Sequence, residues 1–145
     1  HDRDMKKIKV FAIALVALLF SSCGKDSRCD VPIGDAACSI DLMQAQYYSL
    51  YSRVGGYLNL VGGHKGICVV HTALDEYVAF ERACPNDPET PVDFLEGSDG
   101  VLVKCPVCGS QFCTYTGGTP IEGSVTSCSL YQYATTLEGG VLHIY

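Results

Sequence analysis

Cys105-Pro106-Val107-Cys108-Gly109-Ser110-Gln111-Phe112 is the stretch whose reading decides the fold. Apolar, strand-like residues stand on both sides of it, at 101–104 and 111–115, so it reads as a loop between two strands that presents two cysteines. A second loop, Ala83-Cys84-Pro85-Asn86-Asp87-Pro88, carries two prolines that exclude it from a central strand. The strands expected around these loops are short. Residues 38–42 alternate apolar and polar, as a half-buried strand does. Residues 57–61 and 66–71 follow, and the second of these is strongly β-branched. Asp75-Glu76 turns the chain into a hairpin partner at 77–82. Residues 121–122 face 111–115 across a Thr116-Gly117-Gly118 turn. The chain ends in a hairpin of 130–137 and 141–145 around Glu138-Gly139-Gly140. Residues 44–54, with Tyr47, Leu50, Tyr51 and Val54 at helical spacing, read as a loop with one helical turn. Roughly nine short strands, with turns every eight to twelve residues, predict an all-β, small antiparallel sandwich or barrel.

The loop reads C-P-x-C-G-S-x-F, which resembles the second cluster-binding loop of Rieske iron–sulfur domains, C-P-x-H-G-S-x-F. The resemblance covers residues 77–145 in the family's order: strand, Cys84 loop, strand, Cys105 loop, Phe112 strand, Gly-rich turn and terminal hairpin. It implies a Rieske-type β fold in which two hairpin loops each offer one Cys and one His to a [2Fe–2S] cluster. Residues 120–130 would cover that cluster. Carried over position by position, Cys84 and Cys105 stand at the cysteine positions, while Asn86 and Cys108 stand where the family has histidines. An amide is a poor iron ligand. The implied metal set is therefore Cys84, Cys105 and Cys108, with Cys113 or, better placed, Cys128 as a fourth thiolate, holding iron–sulfur or zinc. The pattern is more specifically similar to the cluster-less Rieske-like lipoproteins of Bacteroidetes, in which the loops persist and the ligands drift.

The beginning of the sequence points the same way. His1 to Asp4 precede Met5. Lys6, Lys7 and Lys9, an apolar run over 10–20, and Ser21-Ser22-Cys23 then form a positive, apolar, small-residue series of the export-signal kind. Spanning a bilayer takes ~20 apolar residues, and this run is shorter. Leu19-Phe20-Ser21-Ser22-Cys23 is similar to a bacterial lipobox and implies that Cys23 becomes the lipidated N-terminus. The expected organisation is an upstream segment and signal at 1–22, a lipidated tether at 23–35 and one β domain at 36–145. The expected place is a bacterial cell envelope, reached through the lipid on Cys23. Exported Rieske proteins travel folded behind a twin-arginine signal. Lys6-Lys7 without an arginine pair implies export unfolded, ahead of any cluster.

The 145 residues hold 16 Asp and Glu against 10 Lys and Arg, a formal net charge of −6. Four of those basic residues, Arg3, Lys6, Lys7 and Lys9, precede the apolar run, so the rest is more acidic still. That balance excludes a nucleic-acid partner, which would want a basic face; the expected contacts are the membrane and envelope proteins.

Besides Cys23 there are Cys29, Cys38, Cys68, Cys84, Cys105, Cys108, Cys113 and Cys128, an even set that in an exported protein suggests disulfides of open pairing. Cys105 and Cys108 form a C-x-x-C pair, but no helix follows to lower a thiol pKa as in a redox dithiol. A structural bridge among Cys84, Cys105 and Cys108, or buried thiols, is the favoured reading. His64, His71 and His143 read as strand or loop residues. Asp87, Glu89, Asp93 and Glu96 read as a solvated acidic loop. No catalytic triad, phosphate loop or metalloprotease motif is present. The sequence thus predicts a non-catalytic structural or interaction module without a bound cofactor. The alternatives are an electron carrier with a cysteine-rich iron–sulfur site, or a zinc or thiol-redox site at the same loops.

Overall fold

The computed structural model describes residues 29–145. The export signal, the Cys23 lipidation position and the first tether residues lie outside the described residues. Among those described, no helix is long and apolar enough to cross a membrane.

The fold is built around one hairpin. Strands β3 (Ile67–Ala73) and β4 (Glu76–Glu81) pair antiparallel, with Ile67 opposite Glu81 and Val70 opposite Val78. The first five residues of β3 are all buried, which explains its unbroken apolar run. Successive side chains of a strand point to opposite faces, and here both faces are covered. Ile67, Val69, Tyr77 and Ala79 enter one apolar cluster, while Cys68 and Phe80 enter a second. With β2 (Tyr57–Leu60) and β9 (Gln132–Tyr133) this hairpin forms a four-stranded central sheet, order β2-β3-β4-β9.

The first cluster joins the central sheet to a three-stranded sheet of β1 (Cys38–Asp41), β11 (Val141–Ile144) and β10 (Thr135–Glu138), through Ile40, Leu142 and Ile144. Leu50 of the single-turn helix α1 (Tyr48–Tyr51) fills the same core. The second cluster joins it to the sheet that carries the cysteine loops: β5 (Asp93–Phe94), β6 (Leu102–Lys104), β7 (Gln111–Cys113) and β8 (Thr119–Pro120). Val103 and Phe112 pack there against Phe80, Cys84 and Cys105. Full burial of each Phe contributes ~1.5–3 kcal/mol, so the loops stand on a packed apolar base.

All the described strand pairs are antiparallel, in keeping with the expected all-β class. The strands expected at 38–42, 57–61, 66–71 and 77–82 occur within a residue or two, and 44–54 holds a 3-10 turn (Ala45–Tyr47) followed by α1. Four details differ. The strand at 111–115 stops at Cys113 and continues as a 3-10 turn, Thr114–Thr116. Its partner is Thr119–Pro120 and not 121–122. Asp93–Phe94 is an added edge strand inside what reads as loop. Residues 130–137 are not one strand: β9 pairs with β4, β10 pairs with β11, and the chain changes sheets at Ala134. There the Ala134 N–H donates to the Tyr145 carbonyl, and the Tyr145 N–H returns a bond to Ala134.

The expected tether is fastened to the domain from Cys29 onward. Cys29 is disulfide-bonded to Cys128, Asp35 accepts from the Gly63 N–H at 2.8 Å, and Ala36 is buried.

Candidate functional site: a three-thiol centre

The first loop leaves β4 at Arg82. The Arg82 Nε donates to the Val92 carbonyl at 2.9 Å, its guanidinium pairs with Asp93, and the Val92 N–H donates back to the Arg82 carbonyl at 2.7 Å. Inside this clamp Cys84 donates its N–H to Thr90 at 3.0 Å, and Asp87 donates to the Cys84 carbonyl at 3.1 Å. The Thr90 hydroxyl donates to the Asp87 carboxylate at 2.7 Å. A loop closed by so many internal bonds holds its cysteine in one place.

Glu81, just before the loop, is fully buried. Its carboxylate accepts from the backbone N–H of His64, from Lys65 at 3.0 Å, from Ala83 at 2.8 Å and from the Tyr133 hydroxyl at 2.9 Å. Four donors make this buried charge tolerable. The bond to Ala83 fixes the residue that precedes Cys84. Burial, with Glu81 adding, pushes the Tyr133 phenol up. In the sequence Glu81 is one residue of the hairpin partner at 77–82, with no motif to single it out. The signal was its period, since alternation puts Glu81 on the same face as Tyr77 and Ala79.

The second loop is a tight turn between β6 and β7. Cys105 donates its N–H to Ser110 at 2.9 Å, and Gly109 donates to Cys105 at 3.0 Å. Gly109 has φ 76°, a conformation that L side chains rarely adopt. The segment after β8 lies against this loop. Val125 donates its N–H to the Ser110 hydroxyl oxygen at 3.0 Å, and the Ser124 hydroxyl accepts from the Gln111 N–H at 3.1 Å. Ser124 and Val125, within the segment that the resemblance places over the cluster, therefore lie against the second loop.

The two loops bring Cys84, Cys105 and Cys108 together, with all three sulfurs within 4.8 Å of one another. Cys84 Sγ and Cys108 Sγ are 3.6 Å apart. Cys84 and Cys105 are fully buried, and Cys108 is part-exposed at the rim. Burial pushes the Cys84 thiol up to about 12, against the pull of the Asn86 and Asp87 backbone N–H groups. Burial also raises Cys108, but the Ser110 hydroxyl and N–H, with Cys105 and Cys84, outweigh it and bring this thiol down to about 7. Cys108 Sγ lies 3.3 Å from the Ser110 hydroxyl. Because the Ser110 oxygen already accepts from Val125, its proton is free to turn toward a Cys108 thiolate.

Cys128, expected as the fourth ligand, is instead bonded to Cys29, a residue 99 positions away in sequence. Its sulfur is committed there, and no local pattern marks that pairing. Cys113 and Cys68 are free thiols that do not join the group. Cys68 is buried among the same apolar side chains, and its thiol is pushed up to about 12 by desolvation. Asn86 is exposed. The other candidates resolve as surface or strand residues. Lys65 at 3.1 Å, with His64, holds Glu89 below the usual carboxylate range. His143 Nδ1 and the Ser39 hydroxyl share a bond at 2.7 Å. His71 is buried and stacked on Tyr77 at 4.4 Å.

No protein-family model and no curated protein sequence matches the chain. Solved structures do. The Rieske protein PetC3 of the cyanobacterial plasma membrane, from Synechocystis PCC 6803, superposes with a TM-score of 0.51 at 20% identity, covering 62% of this chain and 86% of that one. The fold is Rieske-like. The ferredoxin of carbazole 1,9a-dioxygenase from Nocardioides aromaticivorans IC177 aligns at 14% identity and a TM-score of 0.44, over 79% of this chain and 97% of that one.

A Rieske centre takes two cysteines and two histidines, the imidazoles on one iron. The Rieske-like loops of this chain bring together three thiols and no imidazole. The donors present do not fit a Rieske [2Fe–2S] cluster. What the arrangement offers is three sulfurs able to hold a metal ion, or to exchange a disulfide.

Proposed function

We propose that this protein is a cell-envelope lipoprotein, anchored through a lipid on Cys23, whose Rieske-like domain is a non-catalytic structural or interaction module without a Rieske [2Fe–2S] cluster. The observation that carries the reading is the donor set: Asn86 is exposed, Cys108 replaces the other histidine, and Cys128 is tied to Cys29. That disulfide also supports an oxidising compartment, where such bonds persist. The domain serves as a scaffold whose loops are held by backbone bonds and by the Glu81 and Arg82 anchors rather than by a cofactor.

The test is protein recovered anaerobically from the native envelope. A colourless, iron-free sample that leaves the membrane fraction when Cys23→Ala is introduced is the expected result. Brown protein with iron and sulfide in cluster amounts would overturn it in favour of an electron carrier with an altered ligand set.

A second reading, a zinc or thiol-redox site at the same loops, is supported by the 3.6 Å approach of Cys84 and Cys108. Forming that bridge would release two protons and pass two electrons to a disulfide-bearing oxidant. A free-thiol count on the same sample distinguishes the bridged from the open form, and zinc surviving dialysis identifies the zinc form.

A further inference from the structure

We propose that Cys84, Cys105 and Cys108 form a three-coordinate site for a soft monovalent metal ion, Cu(I). The inference rests on the reading that no Rieske cluster occupies these loops, and it names the ligand class of the same site.

The spacing suits it. An ion about 2.3 Å from each thiolate sulfur, in the plane of the three, holds them about 4 Å apart. The sulfurs lie within 4.8 Å of one another, with one pair at 3.6 Å, so small side-chain adjustments close the site.

The number of donors selects the ion. Among the described residues no further His, Cys, Asp or Glu joins the group. Cys128 is committed to Cys29. Zinc in a structural site takes four ligands in a tetrahedron and would be left one short in a pocket where two of the three cysteines are fully buried. Thiolates select soft ions, Cu(I) among them, and a d10 monovalent ion is satisfied by three sulfurs in a plane. Cys84 and Cys105 are fully buried, and part-exposed Cys108 gives the entry side.

Two of the sulfurs have hydrogen-bond donors beside them. Backbone N–H groups of Asn86 and Asp87 are directed at Cys84. The Ser110 N–H and hydroxyl are directed at Cys108. Three thiolates around one monovalent ion leave a net negative centre, and these donors offset that charge without a cationic side chain. Binding releases thiol protons to solvent and changes no oxidation state, so no redox partner is required. A three-thiol set also exceeds what a disulfide needs, since any single bridge among them leaves one sulfur over.

The experiment is an anaerobic titration of iron-free protein, with Cys84, Cys105 and Cys108 as free thiols and the Cys29–Cys128 bond intact, with Cu(I) in competition with bicinchoninate. One equivalent of copper held against the chelator, three sulfur neighbours by X-ray absorption, and protection of the three thiols from iodoacetamide are expected. Cys108→Ser should weaken Cu(I) retention by more than about tenfold, the loss that follows from disturbing even a partner of a metal ligand. Cys113→Ser, on β7 outside the group, should leave it unchanged. Cys108 is at the rim, and circular dichroism checks that its variant remains folded. If that variant unfolds, the sulfur count and thiol protection of the parent protein decide. Loss of all copper to the chelator, two or fewer sulfur neighbours, displacement by equimolar Zn(II), or equal weakening by Cys113→Ser would each overturn the proposal. Iron in the native protein would sink the underlying reading; iron-free protein unable to retain Cu(I) sinks this inference alone.

Discussion

The Tyr133 hydroxyl donates to Glu81 Oε1 at 2.9 Å, joining β9 to the residue that sets the start of the Cys84 loop. The carboxylate is fully buried and also receives three backbone N–H groups. The two partners are unequal. Tyr133→Phe removes one donor and leaves three, which should cost about 1.5 kcal/mol, as for a bond to a charged group. Glu81→Ala strands all the donors and opens a cavity, and should cost at least ~3 kcal/mol. Urea unfolding monitored by circular dichroism measures both. The raised phenol pKa has a sign of its own. The neutral form is the one stabilised by folding, so this contribution is complete below the unfolded tyrosine value near 10 and fades only as pH rises through the higher folded value.

The Cys29–Cys128 bond closes a loop with a sequence separation of 99 residues. A cross-link of that span restricts the unfolded chain strongly, and native disulfides contribute ~2–4 kcal/mol. Cys29→Ser and Cys128→Ser should each lower stability by about that amount, and reduction of the parent should reach the same value. Thermal melts with and without reductant check this. The effect should reach the cysteine loops locally, because the segment that carries Cys128 also holds Ser110 through Val125.

Cys108 should react faster than Cys84 and Cys68 in the metal-free protein. Its thiol is brought down to about 7, whereas Cys84 and Cys68 are pushed up to about 12 and are buried. Thiolate, not thiol, is the nucleophile. Alkylation of Cys108 by iodoacetamide should therefore be slow below pH 6, rise through pH ~7 and level off above pH 8, while Cys84 and Cys68 stay slow across that range. Ser110→Ala removes the hydroxyl donor and should move that midpoint upward. Peptide mass analysis after timed alkylation across pH gives the profile residue by residue.

Much of the framework is legible in the chain because its signals are local. The β-branched run of β3 names a strand covered on both faces, and Gly139-Gly140, both at positive φ, name the terminal hairpin turn. The C-P-x-C-G-S-x-F loop carries the resemblance that implied a meeting of Cys84 with Cys105 and Cys108. What escapes is non-local. No pattern near Cys29 or Cys128 foretells a bond between residues so far apart, and assigning Cys128 as a ligand followed from that gap. The sheet change at Ala134 is equally silent, because residues 130–137 alternate well enough for one strand. It takes the pairing of Tyr133 with Ala79, and of Thr135 with Ile144, to divide them.

Two glycines with nearly the same backbone separate strain from packing. Gly109 has φ 76° and Gly118 has φ 73°, so an alanine at either position meets a similar left-handed penalty of ~1–2 kcal/mol. Their surroundings differ. A Cβ on Gly109 would meet nothing within 4 Å, whereas one on Gly118 would lie 2.9 Å from Phe80 Cε1 and 3.0 Å from Leu130 Cβ. Phe80 and Leu130 belong to the apolar cluster beneath the cysteine loops, and overpacking such a core costs a further ~1–3 kcal/mol. Gly118→Ala should therefore be the more destabilising by about that second amount. Gly109→Ala should instead show its effect at the site, because the strained residue follows Cys108 directly and its N–H closes the turn onto Cys105. Denaturant titration of both variants, paired with the Cys108 alkylation profile of each, separates the two. Equal losses of stability would mean that the core near Phe80 yields to the added methyl, and that backbone strain alone keeps glycine at both positions.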